Sequence, residues 1–335
     1  MRAVMLRELG GPEKLLVDEI PTPTPGPGEV LVRVRAAALN RRDAYARVGL
    51  YPGVKLPAVP GSDGAGEVVS MGDGVAVLTP GDPVIINPSL NWGPDPRFYG
   101  SEFSILGIPV NGTFAEYVVV PAANVFPKPA YLTWEEAAAL PLGGVTSFRA
   151  LFTRGGLRAG ESVLIPGIGG GVATLALAMA VAAGAEVWVT TSRAEKLQRA
   201  REMGARGGAL YTAEDWVRGL RRDLGGGFDL ALDSVGGQTF SDLVALARPG
   251  ARIVVFGATT GAVNNLVMPR LFFKQLDVRG STMGSPADFS QMLAFVTEHQ
   301  IRPVIDRVVG LENVGEAETA MEAGELFGKV VFAIP

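Results

Sequence analysis

Residues 161–192 read ESVLIPGIGGGVATLALAMAVAAGAEVWVTTS, and the order of apolar and glycine-rich segments within them indicates the fold. A short apolar run is followed by a glycine cluster, an Ala-rich apolar block, Gly184 and a second apolar run. These lengths, with β-branched residues on both sides of the Ala-rich block, are typical of a strand, a tight turn, a helix and a second strand. The stretch therefore predicts a βαβ unit.

The glycine turn is the predicted binding site of this unit. Glycine lets the backbone bend sharply and approach a ligand, and the first N–H groups of the following helix have no partner inside it. Both features suit a pyrophosphate. The strict G-x-G-x-x-G pattern fails at Val172, but Gly167, Gly170 and Ala173 fit a G-x-x-G-x-x-A variant. The predicted dinucleotide contacts are Gly167, Gly169, Gly170, Gly171 and Val172, and a βα turn without a ligand is the alternative.

The end of the second strand indicates which dinucleotide binds. A chain that binds NAD usually carries an acid there for the ribose 2′-hydroxyl, whereas one that binds NADP offers Arg and hydroxyl groups. No acid ends this strand, and Glu195 falls in the next helix, where the helix dipole explains a carboxylate. The predicted contacts of the 2′-phosphate are Thr191, Ser192, Arg193 and Lys196. The sequence favours NADPH.

Composition argues against several classes of protein. The 335 residues include no Cys and a single His, so disulfides and thiolate chemistry are excluded and a zinc site is not expected. The net charge of −4 gives no electrostatic reason to expect a nucleic acid or an anionic membrane as partner. The first residues lack the apolar core of a signal peptide, and no apolar stretch is long enough to span a bilayer. We expect a cytoplasmic protein with two domains.

Residues 1–128 are predicted to form a β-rich domain. Short apolar segments are separated by Gly and Pro turns, and Val32, Val34 and Ala36 alternate with period two. Many short strands with such turns are typical of a partly closed barrel. Residues 129–268 continue the alternation of strand and helix and predict a doubly wound parallel sheet. Residues 269–335 are expected to return to the first domain.

Further stretches carry a resemblance to a known family. In chain order they are VRVRAAALNRRDAYARVGLYP (32–52), VPGSDGAGEVVSMGDGV (59–75), GDPVIINP (81–88), GTFAEYVVVPAANVFPKP (112–129) and AAALPLGGVTSFRAL (137–151). With the glycine turn, they resemble the medium-chain dehydrogenase/reductase superfamily, and most of all its zinc-free quinone oxidoreductase branch. The resemblance implies an α/β fold class: a GroES-like, partly open β-barrel catalytic domain and a Rossmann domain with a doubly wound parallel sheet.

This branch implies hydride transfer from NADPH to a quinone or an enone. Zinc-using members carry a cysteine at Asn40, a histidine and a glutamate at Ser62 and Asp63, and a cysteine near Leu142, and this chain keeps none of those ligands. Without a Lewis acid, alcohol oxidation loses the device that stabilises an alkoxide. Hydride addition to an enone needs only hydrogen-bond donors for the developing enolate. No metal is expected.

Polar residues at and near these positions are the candidate catalytic groups. Asn40 could donate to the substrate carbonyl or the nicotinamide amide, or cap the following helix. Tyr51 is the candidate phenolic donor. Asp43 matches the N-x-x-D pattern of zinc-free relatives, although the helix dipole would also explain it. Ser62 and Asp63 lie in the turn PGSDGAG, which Asp63 could simply hold.

The resemblance also implies cofactor contacts away from the glycine turn. It places the nicotinamide half of the cofactor against DSVGG (233–237) and FGATTG (256–261), with ordinary βα turns as the alternative. The implied contacts are Thr146, Ser234, Val235, Gly257, Ala258 and Thr259. Lys329 is implied as a partner of the 2′-phosphate, with a solvated lysine as the alternative.

Two further segments carry expectations. NPSLNWGPDPRFYGSEF (87–103) resembles a lobe that holds a structural zinc in related enzymes, and its rings Trp92, Phe98 and Tyr99 are expected to pack the lobe on itself or to edge the substrate cleft. A strand around NNLVMP (264–269) is expected to pair across a dimer axis, which would give a homodimer or a dimer of dimers.

Two other functions stay open on the sequence. One is a zinc-independent reductase of simple carbonyls or enoyl thioesters. The other is an NADPH-binding protein with structural or sensory work and little catalysis. RNA binding is disfavoured because the chain is acidic and has no basic run.

Overall fold

The glycine-turn stretch forms the predicted βαβ unit in the computed structural model, which describes residues 1–335. A strand at Ser162–Ile165 leads through the glycines to a helix at Gly171–Ala182, and a second strand follows at Glu186–Thr191. The chain divides into two units. Unit 1 consists of Met1–Gly143 and Gly284–Pro335, and unit 2 consists of Gly144–Met283.

The first segment of unit 1 is rich in short strands, as predicted. Its elements are β1 (Arg2–Leu6), β2 (Leu15–Glu19), β3 (Glu29–Ala38), α1 (Arg41–Arg47), β4 (Asp63–Met71), β5 (Pro83–Ile86), β6 (Ser89–Leu90), β7 (Ser104–Ile105), β8 (Tyr117–Pro121), β9 (Val125–Pro127) and α2 (Trp134–Ala138). The helix α3 (Pro141–Phe148) contains the boundary with unit 2.

Unit 2 alternates strands and helices, and the second segment of unit 1 follows it. The elements of unit 2 are β10 (Ser162–Ile165), α4 (Gly171–Ala182), β11 (Glu186–Thr191), α5 (Ala194–Glu202), β12 (Gly207–Leu210), α6 (Trp216–Asp223), β13 (Phe228–Asp233), α7 (Gly237–Leu246), β14 (Ala247–Val255), α8 (Met268–Phe273) and β15 (Asp277–Gly280). Unit 1 then adds α9 (Pro286–Glu298), β16 (Ile305–Val309), α10 (Val314–Glu322) and β17 (Lys329–Ala333). A π-helical turn spans Arg149–Arg154, and 3-10 turns span Pro12–Lys14, Ala122–Asn124 and Leu311–Asn313.

The sheet of unit 2 confirms the doubly wound prediction. Its strand order is β12-β11-β10-β13-β14-β15, and every neighbouring pair is parallel. Counted from β10, this is the order 3-2-1-4-5-6 of a Rossmann fold, with its switch point between β10 and β13. All six residues of β13 are buried, as expected for a strand covered on both faces.

The boundaries between the units lie later than predicted, at 143 against 128 and at 283 against 268. The second difference arises because β15 pairs with β14 and completes the parallel sheet. The first arises because α2 contacts β3 and β4 of unit 1. The strand predicted around residues 264–269 is absent, since residues 264–267 have no regular structure and Met268 begins α8 with a proline in its first turn.

The larger sheet of unit 1 positions the polar residues of the candidate site. Its order is β16-β17-β3-β4-β5-β9, and β8 also pairs with β3. The antiparallel registers set Ala38 opposite both Val331 of β17 and Asp63 of β4. The end of β3 therefore lies beside the beginnings of β4 and β17.

The core of unit 1 fills the space behind this sheet. Val32, Val34 and Ala36 of β3 are fully buried, as the alternation predicted. The rings of Phe114 and Phe332 pack edge to face with centroids 4.9 Å apart, which anchors β17 in the same core. No helix of the structure has both the length and the apolar character needed to cross a bilayer.

Candidate functional site

A buried polar cluster forms where the end of β3 meets the beginnings of β4 and β17. Asn40 follows β3, Asp63 begins β4 and Lys329 begins β17. Asn40 Nδ2 donates to Asp63 Oδ2 at 2.9 Å, and Lys329 Nζ donates to Asn40 Oδ1 at 2.6 Å and to Asp63 Oδ2 at 2.9 Å. The three side chains are 7%, 0% and 4% exposed in that order. We call Asn40, Asp63 and Lys329 the buried triad.

Asp63 also holds the surrounding backbone. Its Oδ1 accepts the Leu142 N–H at 2.7 Å, and its carbonyl oxygen accepts from Thr113 Oγ1 at 2.7 Å. The sequence prediction left open whether Asp63 holds its turn or acts on substrate, and these contacts support a role in holding the backbone. Asp63 thus joins three of the four positions at which the resemblance places metal ligands in other members, namely Asn40, Asp63 itself and Leu142.

One N–H of the Asn40 amide is held only weakly. Its second Nδ2 hydrogen makes a long hydrogen bond of 3.4 Å to the Ala38 carbonyl oxygen, slightly beyond the usual length of such a bond. Asn40 also precedes α1, and the Asp43 carboxylate accepts its backbone N–H at 2.9 Å. The structure therefore gives Asn40 the capping position that was the alternative, without using the whole amide.

Asp43 is a buried carboxylate with an unusual proton affinity. Its Oδ1 has no hydrogen-bond partner, and the nearest Arg42 guanidinium nitrogen lies 3.6 Å away. Burial raises the pKa of Asp43 to about 6, against the opposing effects of Arg42 and of the Asn40 N–H. Asp43 lies in the first turn of α1, where the sequence suggested an interaction with the helix dipole.

We expect Asp43 to make stability depend on pH. A raised pKa means that the folded state binds the Asp43 proton more tightly than the unfolded state does. The stability that protonated Asp43 contributes is therefore fully present below about pH 4 and is lost as the pH rises through about 6. The shift corresponds to about 3 kcal/mol in the free energy of unfolding. Denaturant unfolding of the wild type and Asp43→Asn between pH 4 and 7 measures the difference. Parallel profiles for the two proteins would contradict the assignment.

A second polar group surrounds Arg42 of α1. Arg42 Nη1 donates to Ser62 Oγ at 2.6 Å and to the Leu106 carbonyl oxygen at 3.0 Å, and Nη2 donates to the Ile108 carbonyl oxygen at 3.0 Å. Its guanidinium carbon lies 4.6 Å from the centre of the Tyr51 ring. Arg42 thus brings Ser62 and Tyr51, both predicted site residues, into one group.

Sequence reasoning missed Arg42. Arg42 lies on the same helical face as the buried Ala46, four residues on, and this spacing was the available signal. Lys329 was expected to meet the 2′-phosphate or to be solvated. The structure buries its ammonium against Asp63 and Asn40, so the solvated alternative is wrong, while the phosphate contact stays a prediction.

The residues of this site do not fit a zinc ion. Zinc sites in proteins are built from Cys and His with occasional carboxylates, and the triad offers one carboxylate, one amide and an ammonium. No group of three or more His, Cys, Asp or Glu side chains in the chain could hold a metal ion. We therefore derive no step through zinc.

The glycine turn of unit 2 has the geometry of a phosphate cradle. Gly167 and Gly169 have φ values of +66° and +142°, a region that favours glycine. Gly170 caps α4 without any side-chain bond, so the first N–H groups of the helix stay available. A Cβ added at Gly170 would meet no atom within 4 Å. The turn is open where a pyrophosphate would lie, which fits a dinucleotide.

Other hydrogen bonds fix the shape of this turn. The Gly167 N–H donates to Thr190 Oγ1 at 3.3 Å, and the Ile168 N–H donates to the Thr190 carbonyl oxygen at 2.9 Å. Ser147 Oγ donates to the Val172 carbonyl oxygen at 2.9 Å. Val172 therefore belongs to the anchored start of α4.

The loops 233–237 and 256–261 are joined at the carboxyl ends of β13 and β14. Asp233 Oδ1 accepts the N–H groups of Val235 and Gly236 at 2.8 and 3.1 Å. Thr259 Oγ1 donates to the Ser234 carbonyl oxygen at 3.0 Å. Gly257 lets these loops approach, because a Cβ there would lie 3.0 Å from that same oxygen. Ala258 completes the contact, since a Cβ at Gly236 would lie 3.0 Å from its Cα.

Two further features of unit 2 bear on the predicted cofactor contacts. Thr146 is buried in α3 and its Oγ1 has no hydrogen-bond partner, which leaves a polar atom for a ligand. At the end of β11, Thr191 Oγ1 accepts the Arg193 N–H at 3.3 Å, while Ser192 and Arg193 are exposed. Lys196 lies one turn into α5. These residues are placed as a group at one strand end.

The lobe at residues 87–103 packs on its own rings. Trp92 is buried, with ring centroids 6.0 Å from Tyr99 and 5.4 Å from Phe103, and its Nε1 donates to the Asp95 carbonyl oxygen at 3.0 Å. Phe98 is exposed beneath the Arg97 guanidinium. This supports self-packing for Trp92 and Tyr99, the first of the two expectations.

Family models match both parts of the chain. Residues 26–130 match the model described as the alcohol dehydrogenase GroES-like domain, and residues 171–298 match the one described as zinc-binding dehydrogenase. A GroES-like domain joined to a Rossmann sheet defines a dinucleotide-dependent oxidoreductase. The chain belongs to the medium-chain dehydrogenase/reductase superfamily, as the sequence motifs predicted.

Individual relatives extend along the whole chain. The zinc-type alcohol dehydrogenase-like protein YogA of Leptosphaeria maculans is 37% identical over 91% of this chain and 90% of its own. A quinone oxidoreductase of Rattus norvegicus is 29% identical over 100% of this chain and 98% of its own length. A crystal structure titled NAD-dependent alcohol dehydrogenase is 40% identical, with a TM-score of 0.95 over 100% of both chains. Oxidoreductase activity with a nicotinamide cofactor follows from this membership.

Proposed function

We propose that the protein transfers a hydride from NADPH to a quinone or an α,β-unsaturated carbonyl compound without zinc. The proposal is supported by the buried triad, in which the amide of Asn40 and the carboxylate of Asp63, at two positions where the resemblance places metal ligands, are bonded to the Lys329 ammonium. Such a site lacks the Lewis acid that alcohol oxidation requires but retains hydrogen-bond donors. Reduction of a conjugated carbonyl needs a hydride, a proton and hydrogen-bond donors for the developing enolate, but no Lewis acid.

The residues of unit 1 are proposed to hold the acceptor. NADPH supplies the hydride when bound. The weakly bonded N–H of Asn40 and the hydroxyl of Tyr51 are the proposed donors to the acceptor oxygen, where negative charge develops. The Tyr51 ring rests on the Arg42 guanidinium, which Ser62 and two carbonyl oxygens hold in place. Water is the proposed source of the final proton.

The choice of NADPH rests on the end of β11. No carboxylate follows this strand to accept from a ribose 2′-hydroxyl, whereas Arg193 and Lys196 offer positive charge and Thr191 and Ser192 offer hydroxyl groups. The 40% identical structure is named for NAD dependence. The choice of NADPH therefore depends on the residues of this chain at the end of β11.

Steady-state assays test the proposed activity. Turnover of 1,4-benzoquinone and of a panel of enones is expected with NADPH in the presence of EDTA. Loss of all activity on chelation would overturn the zinc-free reaction. Preference for a simple aldehyde or an enoyl thioester would favour the second class of reductase, and tight NADPH binding without turnover of any acceptor would favour a non-catalytic protein.

Tyr51→Phe tests the proposed phenolic donor. Loss of one hydrogen bond to the developing charge is expected to lower kcat about tenfold, with little change in the Kd for NADPH. Tyr117→Phe is a matched control in unit 1, because Tyr117 lies on β8 beside Arg33. Equal kcat values for the wild type and Tyr51→Phe would remove Tyr51 from the proposed site.

A second copy of this chain is the proposed partner. β15 ends the strand order of the parallel sheet, so one of its edges has no strand beside it. Met268, Phe272 and Phe273 of the neighbouring α8 are exposed, with Phe273 at 79%. A twofold axis beside β15 would cover this apolar surface.

The mass measured by light scattering after size exclusion is expected to be that of a dimer. Phe273→Glu is expected to reduce this mass toward that of the monomer. A monomeric wild type would contradict the proposed dimer.

A further inference from the structure

The Lys329 ammonium lies at the centre of the buried triad. It is within hydrogen-bond distance of Asn40 Oδ1 and Asp63 Oδ2, at 2.6 and 2.9 Å, and the lysine is 4% exposed. Asp63 is itself fully buried, so its charge is paired with Lys329 rather than with water. A buried carboxylate requires such a partner.

This arrangement fixes which way the Asn40 amide points. The reverse orientation would bring the amide nitrogen against the ammonium and the amide oxygen against the Asp63 carboxylate, two repulsive contacts in place of two hydrogen bonds. With Oδ1 bonded to Lys329, the amide has only an N–H to offer a ligand. Lys329 therefore sets Asn40 as a donor.

We infer that Lys329 takes the place of a metal ion in this chain. Its ammonium neutralises Asp63, holds Asn40 as a hydrogen-bond donor, and excludes a divalent cation by like-charge repulsion. Lys329 is a positioning residue, because it acts on the acceptor through Asn40. The inference rests on the proposed zinc-free function and assigns Lys329 a role other than the 2′-phosphate contact that the resemblance implied.

Metal uptake tests whether the buried triad excludes a divalent cation. The wild type, incubated with zinc and desalted, is expected to retain less than about 0.1 zinc per chain by elemental analysis, with no change in Tm. One tightly bound zinc per chain would overturn both the zinc-free function and the role of Lys329. A wild type that stays free of zinc supports the exclusion of a divalent cation from the triad.

A double-mutant cycle tests the ion pair. Lys329→Met and Asp63→Asn are each expected to lower Tm by about 10 °C, because each leaves a buried polar group without its partner. The double variant is expected to be more stable than the sum of the two losses predicts. Additive losses in a zinc-free protein would overturn the inference alone.

Kinetics distinguish positioning from phosphate binding. Lys329→Met is expected to lower kcat at least tenfold, because Asn40 can then turn its oxygen toward the acceptor, while the Kd for NADPH changes less than threefold. Lys329→Arg keeps the charge and is expected to recover part of kcat. A tenfold loss of NADPH affinity in Lys329→Met, with NADH affinity unchanged, would restore the phosphate contact and overturn the inference.

A measurement on the wild type covers the case in which no variant folds. Reductive methylation followed by peptide mass spectrometry is expected to modify the exposed Lys55 and to leave Lys329 unmodified until the protein is unfolded. Modification of Lys329 as fast as Lys55 in the folded protein would overturn the buried pairing.

Discussion

Replacing Arg193 and Lys196 together by alanine is expected to raise the Kd for NADPH about 100-fold and to leave the Kd for NADH within about threefold. The two cofactors differ only in the 2′-phosphate, so a change confined to NADPH reports on that group. Hydrogen bonds to a charged group contribute about 1.5–3 kcal/mol each. Two contacts at the lower value give about 3 kcal/mol, which is the expected factor.

The local structure supports this expectation. Arg193 lies at the N-terminal boundary of α5, and Lys196 lies one turn further along. Glu195 is exposed in the same turn and does not end β11, so it is not positioned as the ribose acid of an NAD-binding chain. The phosphate would also approach the N-terminus of α5, where negative charge is favoured.

Fluorescence titration of both cofactors measures the two constants. Arg201→Ala is the matched control, because Arg201 is exposed on the same helix near its C-terminal end. It is expected to change neither Kd. A loss of equal size for NADPH and NADH in the double variant would show that these residues do not read the 2′-phosphate.

Local patterns were sufficient to predict much of the fold. The βαβ unit follows from run lengths and glycine positions within about thirty residues, and the alternation in β3 reflects burial of Val32, Val34 and Ala36. Both signals are local in the chain, which is why they could be used. The end of unit 2 was harder to place, because β15 is a short strand defined by its pairing with β14.

The candidate site was predicted only in part, for the opposite reason. Four candidate catalytic residues lie in or near recognisable motifs, and their neighbours in the sequence mark them as members of a polar site: Asn40, Asp43, Ser62 and Asp63. Lys329 lies 289 positions from Asn40, and only the pairing of β17 with β3 brings them together. A lysine that begins an apolar strand has the same local sequence whether it is solvated or buried. The register of a distant strand decides between the two.

Gly170→Ala is expected to weaken dinucleotide binding by at least about 100-fold while leaving the fold intact. The backbone of Gly170 has φ −73° and ψ 157°, which alanine adopts without strain, and the added Cβ would meet no protein atom within 4 Å. Loss of glycine at a helix N-cap costs at most about 1 kcal/mol. The methyl group can therefore conflict only with a ligand that approaches the turn.

Stability and affinity together make this test decisive. Gly219→Ala is the matched control, because a Cβ at this α6 glycine also meets no atom within 4 Å. It is expected to raise the free energy of unfolding by about 0.5–1 kcal/mol and to leave NADPH binding unchanged. If Gly170→Ala unfolds at the same denaturant concentration as the wild type but loses the dinucleotide, the added methyl group blocks the bound ligand and not the fold. If Gly170→Ala binds NADPH as tightly as the wild type, the pyrophosphate does not lie against this turn, and the dinucleotide site must be sought elsewhere in unit 2.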